Sequence, residues 1–244
     1  MKTRALQAGS ALAALALWEA VARVGLADPL FVPAPSAVAG ALPRILGVAL
    51  PQLGETLAKT LVAYVLSVCL GLGLGLVIGS ARYLHDVLSP FLIAAYGLPK
   101  ILVLPWIILL FGTGVSPAIL YGTLHGAFPV LLLVIGGVRD VDPALLTVAR
   151  AFGARPWHLY RRVILPAIVP ATLAGMRLGI VFCLLGVLIV EMFAGVRGMG
   201  YQLGALANGF QAPELFAATL LVSTVSIAIV FALDALNDRL SRWR

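Results

Sequence analysis

Three charged residues lie where charge is costly. Lys100, Arg177 and Glu191 each fall inside or at the edge of a long apolar run. An ionised side chain at mid-bilayer depth costs at least about 2.5–3.5 kcal/mol on insertion scales. Such residues must face protein, water or a passing solute, which makes them candidates for lining a translocation path. They do not suggest catalysis. His85, His125 and His158 are scattered, and the acidic residues are not paired with one another. Cys69 and Cys183 form no CxxC or Cys/His cluster. Nucleophilic, acid–base and metal chemistry therefore have no constellation, and both cysteines read as small buried hydrophobes.

Arg177 is the most exposed to this argument. It stands eleven residues after Pro166, or about 16 Å along a helix that begins there. Three readings stay open: it helps admit an anion, it pairs structurally with Glu191 or backbone carbonyls, or the helix starts so as to place it nearer the interface. Glu191, near the other end of the same run, has Lys59, Lys100 and Arg197 as candidate partners and reads as structural. Lys100 sits between Pro99 and Pro105. Proline removes a backbone donor, so this run is expected to be kinked or broken, and broken membrane helices often line substrate paths.

The elements that must position these residues follow from composition. The chain has 244 residues, 61% hydrophobic and 11% charged, with mean hydropathy +1.06. A soluble domain carries about 45–50% apolar and 25% charged residues. Lipid must therefore be the solvent for most of the surface, and an all-α membrane protein is expected. At about 20 residues per crossing, the length allows roughly six spans. Six apolar runs fit: 5–26, 57–80, 88–111, 116–136, 166–193 and 214–236. The first could pass for a signal peptide, with Ala20-Val21-Ala22 resembling a cleavage site. It runs on through Leu26, however, and reads as a span. Glu19 and Arg23 in it are four apart, on one face, where they can pair.

Charge gives orientation. With the N-terminus inside, the inner segments hold eleven of the 17 Lys and Arg, including Lys2, Arg4 and the Arg239–Arg244 tail. Both termini are therefore expected in the cytoplasm. The net charge of +7 is what inner loops collect, and nucleic acid is not an expected partner. Residues 27–56 are Pro-rich and polar; Ser36 is placed to cap a short surface helix to about Leu50, interrupted at Pro43. In the second run Gly71, Gly75 and Gly79 form two overlapping small-xxx-small motifs that allow close helix approach. The GxGxG there is no nucleotide loop, because no strand precedes it. No Walker A sequence occurs, so if ATP drives the protein another chain binds it.

The longest inner loop, 137–165, has its own punctuation. Asp142 is placed as N-cap, Pro143 as first helical residue and Gly153 just past the end. A helix from Pro143 to Phe152 is expected, then a second from Pro156 to about Val163. The first would carry Leu145, Leu146, Val148, Ala149 and Phe152 on an apolar face. Such a face is a liability in water unless a partner covers it. Without that partner, the loop is simply a solvated basic turn.

The run Thr147-Val148-Ala149-Arg-Ala-Phe152-Gly153, then nine residues, then Val163-Ile-Leu165-Pro166, resembles the EAA loop of ABC importer permeases. The glycine and Leu-Pro spacings match; Thr147-Val148 stand where the family has Glu-Ala, and Val163 where it has Ile. Leu17-Trp18-Glu19, Val32 to Ser36, Leu98-Pro99-Lys100, Gly175-Met-Arg177, Glu191-Met192 and Gly198-Met-Gly200-Tyr201 are similar to the sulfonate, nitrate and taurine subgroup. The resemblance covers nearly all of 1–244 and implies one transmembrane domain of the type I importer permease fold, with a cytoplasmic coupling helix. It further implies a homodimer, two ATPase subunits carrying ATP and magnesium, a periplasmic solute-binding protein and a bacterial inner membrane. No cofactor is expected on this chain, and the transported solute is left open: sulfonates, taurine, nitrate, bicarbonate, thiamine-precursor pyrimidines or other small organic solutes. The competing reading is a self-sufficient secondary transporter, which would need inverted repeats or a mid-membrane acidic coupling site; neither stands out.

Overall fold

A computed structural model describes residues 2–26 and 28–240. The expected anchors Arg242 and Arg244 lie outside the described residues, as do the side chains of Lys2, Arg4 and Arg239. Among the described residues every regular element is helical, and none is a strand. We number the helices α1 Lys2–Arg23, α2 Pro35–Ser80, α3 Arg82–Gly97, α4 Lys100–Phe111, α5 Val115–Arg139, α6 Pro143–Ala151, α7 Pro156–Ala194, α8 Met199–Asn208 and α9 Ala212–Leu240. Four of them, or five if the bent pair α3–α4 counts as one span, are long and apolar enough to cross a membrane.

The centre is three helices held unusually close by glycine. A Cβ at Gly71 would stand 2.6 Å from Val130 Cβ, one at Gly75 2.7 Å from Val134 Cγ1, and one at Gly79 2.9 Å from Val138 Cβ. The glycines ascend α2 in the same order as the valines ascend α5, so the two helices run parallel, knob into missing side chain. α7 is antiparallel to α5: Gly122 faces Val187, and Gly137 faces Ala171. In lipid there is no hydrophobic drive between helices, so close packing of this kind carries the association.

Three expectations are corrected here. The surface helix and the second span are one helix of 46 residues, uninterrupted at Pro43 and Pro51. Its N-cap is Ala34, with Pro35 at the first position; Ser36 is already inside. Packing overrides the prolines: Val38, Ala41, Ile45, Ala49 and Leu53 recur at helical spacing and are buried against α8 and α9. The second loop helix is not separate either. It continues into the fifth span as α7, through a single π-turn at Tyr160–Ile164 where the Leu165 N–H reaches the Tyr160 carbonyl. Pro166 cannot donate to the Arg162 carbonyl, and the wider turn makes room for its ring. Finally, Cys69 is exposed on the bundle surface, while Cys183 is buried. Cys69 lies on the face of α2 opposite the glycines, which leaves it outside the core.

The third run is broken outright. α3 and α4 meet at 88°. Leu98 and Pro99 are both extended, as the residue before a proline prefers, and Gly112 and Gly114 at positive φ turn the chain into α5. α8 lies outside the six apolar runs, between the fifth and the sixth. It begins at Gly198 (φ +117°).

Candidate functional site

Two regions at opposite ends of α5 and α7 carry the features singled out in the sequence. At one end stands α6. The Asp142 carboxylate accepts the Ala144 N–H at 2.8 Å, and Pro143 opens the helix. Past the last turn, the Ala154 N–H bonds the Ala149 carbonyl and the Gly153 N–H bonds that of Arg150, with Gly153 at φ +73°. This is the double C-terminal closure that glycine permits. Leu146 turns inward to Val138, Val141 and Ile168. Leu145 and Val148 are exposed, and Phe152 is 89% exposed; Ala149 is half-buried. Thr147 is exposed, and its hydroxyl donates back to the Pro143 carbonyl at 2.9 Å. Across the turn, Val163 and Pro166 are half-buried and Leu165 exposed, all within or just after the π-turn.

At the other end, Glu191 is buried (1% exposed). Its Oε1 accepts from Lys59 Nζ at 2.8 Å, and its Oε2 from Thr56 Oγ1 at 2.7 Å and the Gly200 N–H at 2.9 Å. Lys59 Nζ also donates to the Arg197 carbonyl at 2.9 Å, and the Met199 N–H donates to Thr56 Oγ1 at 2.7 Å. The first two N–H groups of α8 are thus satisfied by side chains of α2 and α7, and a carboxylate sits at the positive end of the helix. Gly198 and Gly200 are required: a Cβ at either would collide with Glu191.

Comparison with known proteins decides the family. Residues 67–244 match the family of binding-protein-dependent transport system inner membrane components. The chain belongs to this family. The taurine transport system permease protein TauC of Escherichia coli K12 is 26% identical over 98% of this chain and 89% of its own length. The putative aliphatic sulfonates transport permease protein SsuC of Bacillus subtilis 168 is 27% identical over 94% and 84%. The inward-facing MetNI methionine ABC transporter shares the fold, with TM-score 0.71 at 22% identity over 82% of this chain and 99% of that one. The protein is thus a multi-pass membrane permease, a transport component.

In this permease the three candidate pathway charges do not form one site. Arg177 and Glu191 are 14 residues apart on α7, about 21 Å along the axis. Arg177, about half exposed, pairs with Asp234 of α9 at 3.3 Å; the sequence had offered Glu191 instead. Lys100 is the first residue after the break. Its Nζ donates to the Tyr96 carbonyl at 3.1 Å and lies 4.5 Å from the Tyr96 ring centre and 5.1 Å from that of Phe128. A cation at a helix C-terminus and against aromatic faces is favourably placed. Sequence reasoning missed Thr56 and Asp234. The only available signal was that each polar group stands in a long apolar helix and needs a partner.

Two family-like segments prove to touch. The Glu19 carboxylate of α1 accepts the Ser36 N–H at 3.0 Å and the Ser36 hydroxyl at 2.7 Å, and pairs with Arg23. Leu17-Trp18-Glu19 and Val32 to Ser36 therefore form one joint, with a carboxylate at the start of α2.

Proposed function

We propose that the whole chain is one permease domain of an ATP-driven importer that moves a small anionic solute, of the sulfonate, taurine or nitrate type, delivered by a periplasmic binding protein. In this reading α1 supplies a sixth crossing, both termini are cytoplasmic, and two copies enclose the path in a bacterial inner membrane. The basic α6 end faces the cytoplasm, as positive inner loops do. α6 is the coupling helix: Leu145, Val148 and Phe152 dock in a groove of a separate ATPase chain, which holds ATP and magnesium. The observation that carries this is Phe152, almost fully exposed on a helix whose other face is packed. With Thr147 folded back onto its own helix, the grip is apolar, through Val148, Ala149 and Phe152, and Gly153 with the Val163–Leu165–Pro166 turn sets the angle of the helix.

Lys100 and Arg177 are the pathway residues of this proposal. An ammonium has three donors, and among the described residues only one from Lys100 is used. Arg177 is half exposed and has guanidinium donors left over. Glu191 shapes the outer part of the path by holding the start of α8. Alternating access then amounts to two conformations whose balance the ATPase and the binding protein shift.

The test is co-purification and uptake. Phe152→Asp and Gly153→Asp are each expected to abolish recovery of the ATPase with the permease and to stop solute uptake, while the permease still reaches the membrane. Uptake by the chain alone, driven by an ion gradient, would establish a secondary transporter instead. Uptake of a pyrimidine but of no sulfonate, taurine or nitrate would keep the importer and replace the solute.

A further inference from the structure

A hollow of about 400 Å³ opens beneath α6, where the ends of α2, α5 and α6 meet the start of α7. Its character is mixed. Arg139 and Arg150, both exposed, line it together with apolar Leu146 and Ile164 and the hydroxyl-bearing Ser80 and Tyr160. Neither arginine has a carboxylate within ion-pair distance among the described residues, where the guanidinium pairs are those of Arg23, Arg44, Arg82, Arg177 and Arg197. The nearby Asp142 carboxylate is committed to the start of α6. The Ser80 hydroxyl oxygen is buried and has no hydrogen-bond partner.

Two unpaired guanidiniums beside an unfilled buried hydroxyl describe an anion site. Guanidinium forks match phosphate oxygens in geometry. The apolar wall gives the ligand's class: its anion must carry a greasy part. Position gives its source. α2 ends at Ser80 and α5 at Arg139, so the hollow lies where two apolar spans leave the hydrocarbon, at headgroup depth. Basic pockets between helix ends at this level suit lipid headgroups.

We propose that this hollow binds the phosphate headgroup of an anionic phospholipid, with Arg139 and Arg150 on the phosphate, Ser80 donating to it and an acyl chain along Leu146 and Ile164. The lipid would tie α6 to the ends of α2 and α5. The site uses none of the residues assigned above to ATPase docking or to the solute path, so it stands or falls apart from that reading.

The experiment is native mass spectrometry of the full-length permease, purified with the subunits that accompany it and exchanged into phosphatidylglycerol or phosphatidylcholine nanodiscs. The parent is expected to retain phosphatidylglycerol in preference to phosphatidylcholine. R139Q/R150Q should lose that retention about tenfold or more, since both guanidiniums that would hold the phosphate are gone. R161Q/R162Q, equally basic but outside the hollow, should keep it. Leu146→Trp, which fills the hollow and leaves the charges, should lose it too, and this variant decides the matter if R139Q/R150Q fails to fold. Equal loss in both arginine pairs, parental retention in R139Q/R150Q, or full retention in Leu146→Trp would overturn the site. Displacement of the lipid by inorganic phosphate alone, at concentrations that leave other adducts in place, would overturn its assignment to a lipid.

Discussion

The Lys59 ammonium and the Glu191 carboxylate meet at 2.8 Å inside the bundle, 132 residues apart in sequence. Both are buried, and together they fix where α8 begins. Removing one partner from a buried pair leaves an uncompensated charge and costs about 3–5 kcal/mol. Lys59→Met alone and Glu191→Ala alone are expected to lower the melting temperature of the purified permease strongly. Lys59→Met with Glu191→Gln should recover much of the loss, because the glutamine oxygen can still accept from Gly200. A double variant no better than the singles would refute the pairing as the main stabilising contact.

The glycine stripe gives a second, independent prediction. A methyl at Gly75 meets Val134, itself fully buried. Overpacking of this kind costs about 1–3 kcal/mol. Gly75→Ala should destabilise the fold by that amount, and Val134→Ala in the same chain should offset part of it. Thermal melting of the four proteins of the cycle gives the coupling directly.

Gly153 is a different case, because no atom would touch a Cβ there. The constraint is φ alone, and a non-glycine residue in that region costs about 1–2 kcal/mol. Gly153→Ala should speed amide exchange across Leu145–Phe152, and Gly153→Asn should do so less. Equal exchange in all three proteins would show that the C-terminal closure does not stabilise α6.

Arg177 separates a pathway role from a structural one. A partly exposed ion pair is worth about 0.2–1 kcal/mol, so neither Arg177→Ala nor Asp234→Asn should unfold the permease. If Arg177 meets the solute, Arg177→Ala should raise the KM for anion uptake about tenfold, the value of one charge-assisted bond. Asp234→Asn, which frees the guanidinium, should leave KM unchanged or lower it. Matching small losses of stability with unchanged KM in both would assign Arg177 to helix pairing.

Much of this molecule could be read in one dimension. The membrane class follows from composition, because a chain so poor in charge has no polar coat to show to water. Asp142, Pro143 and Gly153 bound α6 correctly, since capping acts within one turn and needs no distant partner. Gly71, Gly75 and Gly79 announced a close helix contact, since their spacing alone puts them on one face. What only the tertiary structure decided are matters of partnership and continuity. Pro43 and Pro51 did not end α2, because burial of one face against α8 and α9 outweighs two lost backbone bonds. Pro99 did break its run, into two helices at 88°. Glu191 found Lys59 and Thr56, and Arg177 found Asp234, across separations no local rule spans. Sequence shows that a charge in an apolar run needs a partner; packing alone shows which residue stands within reach of it.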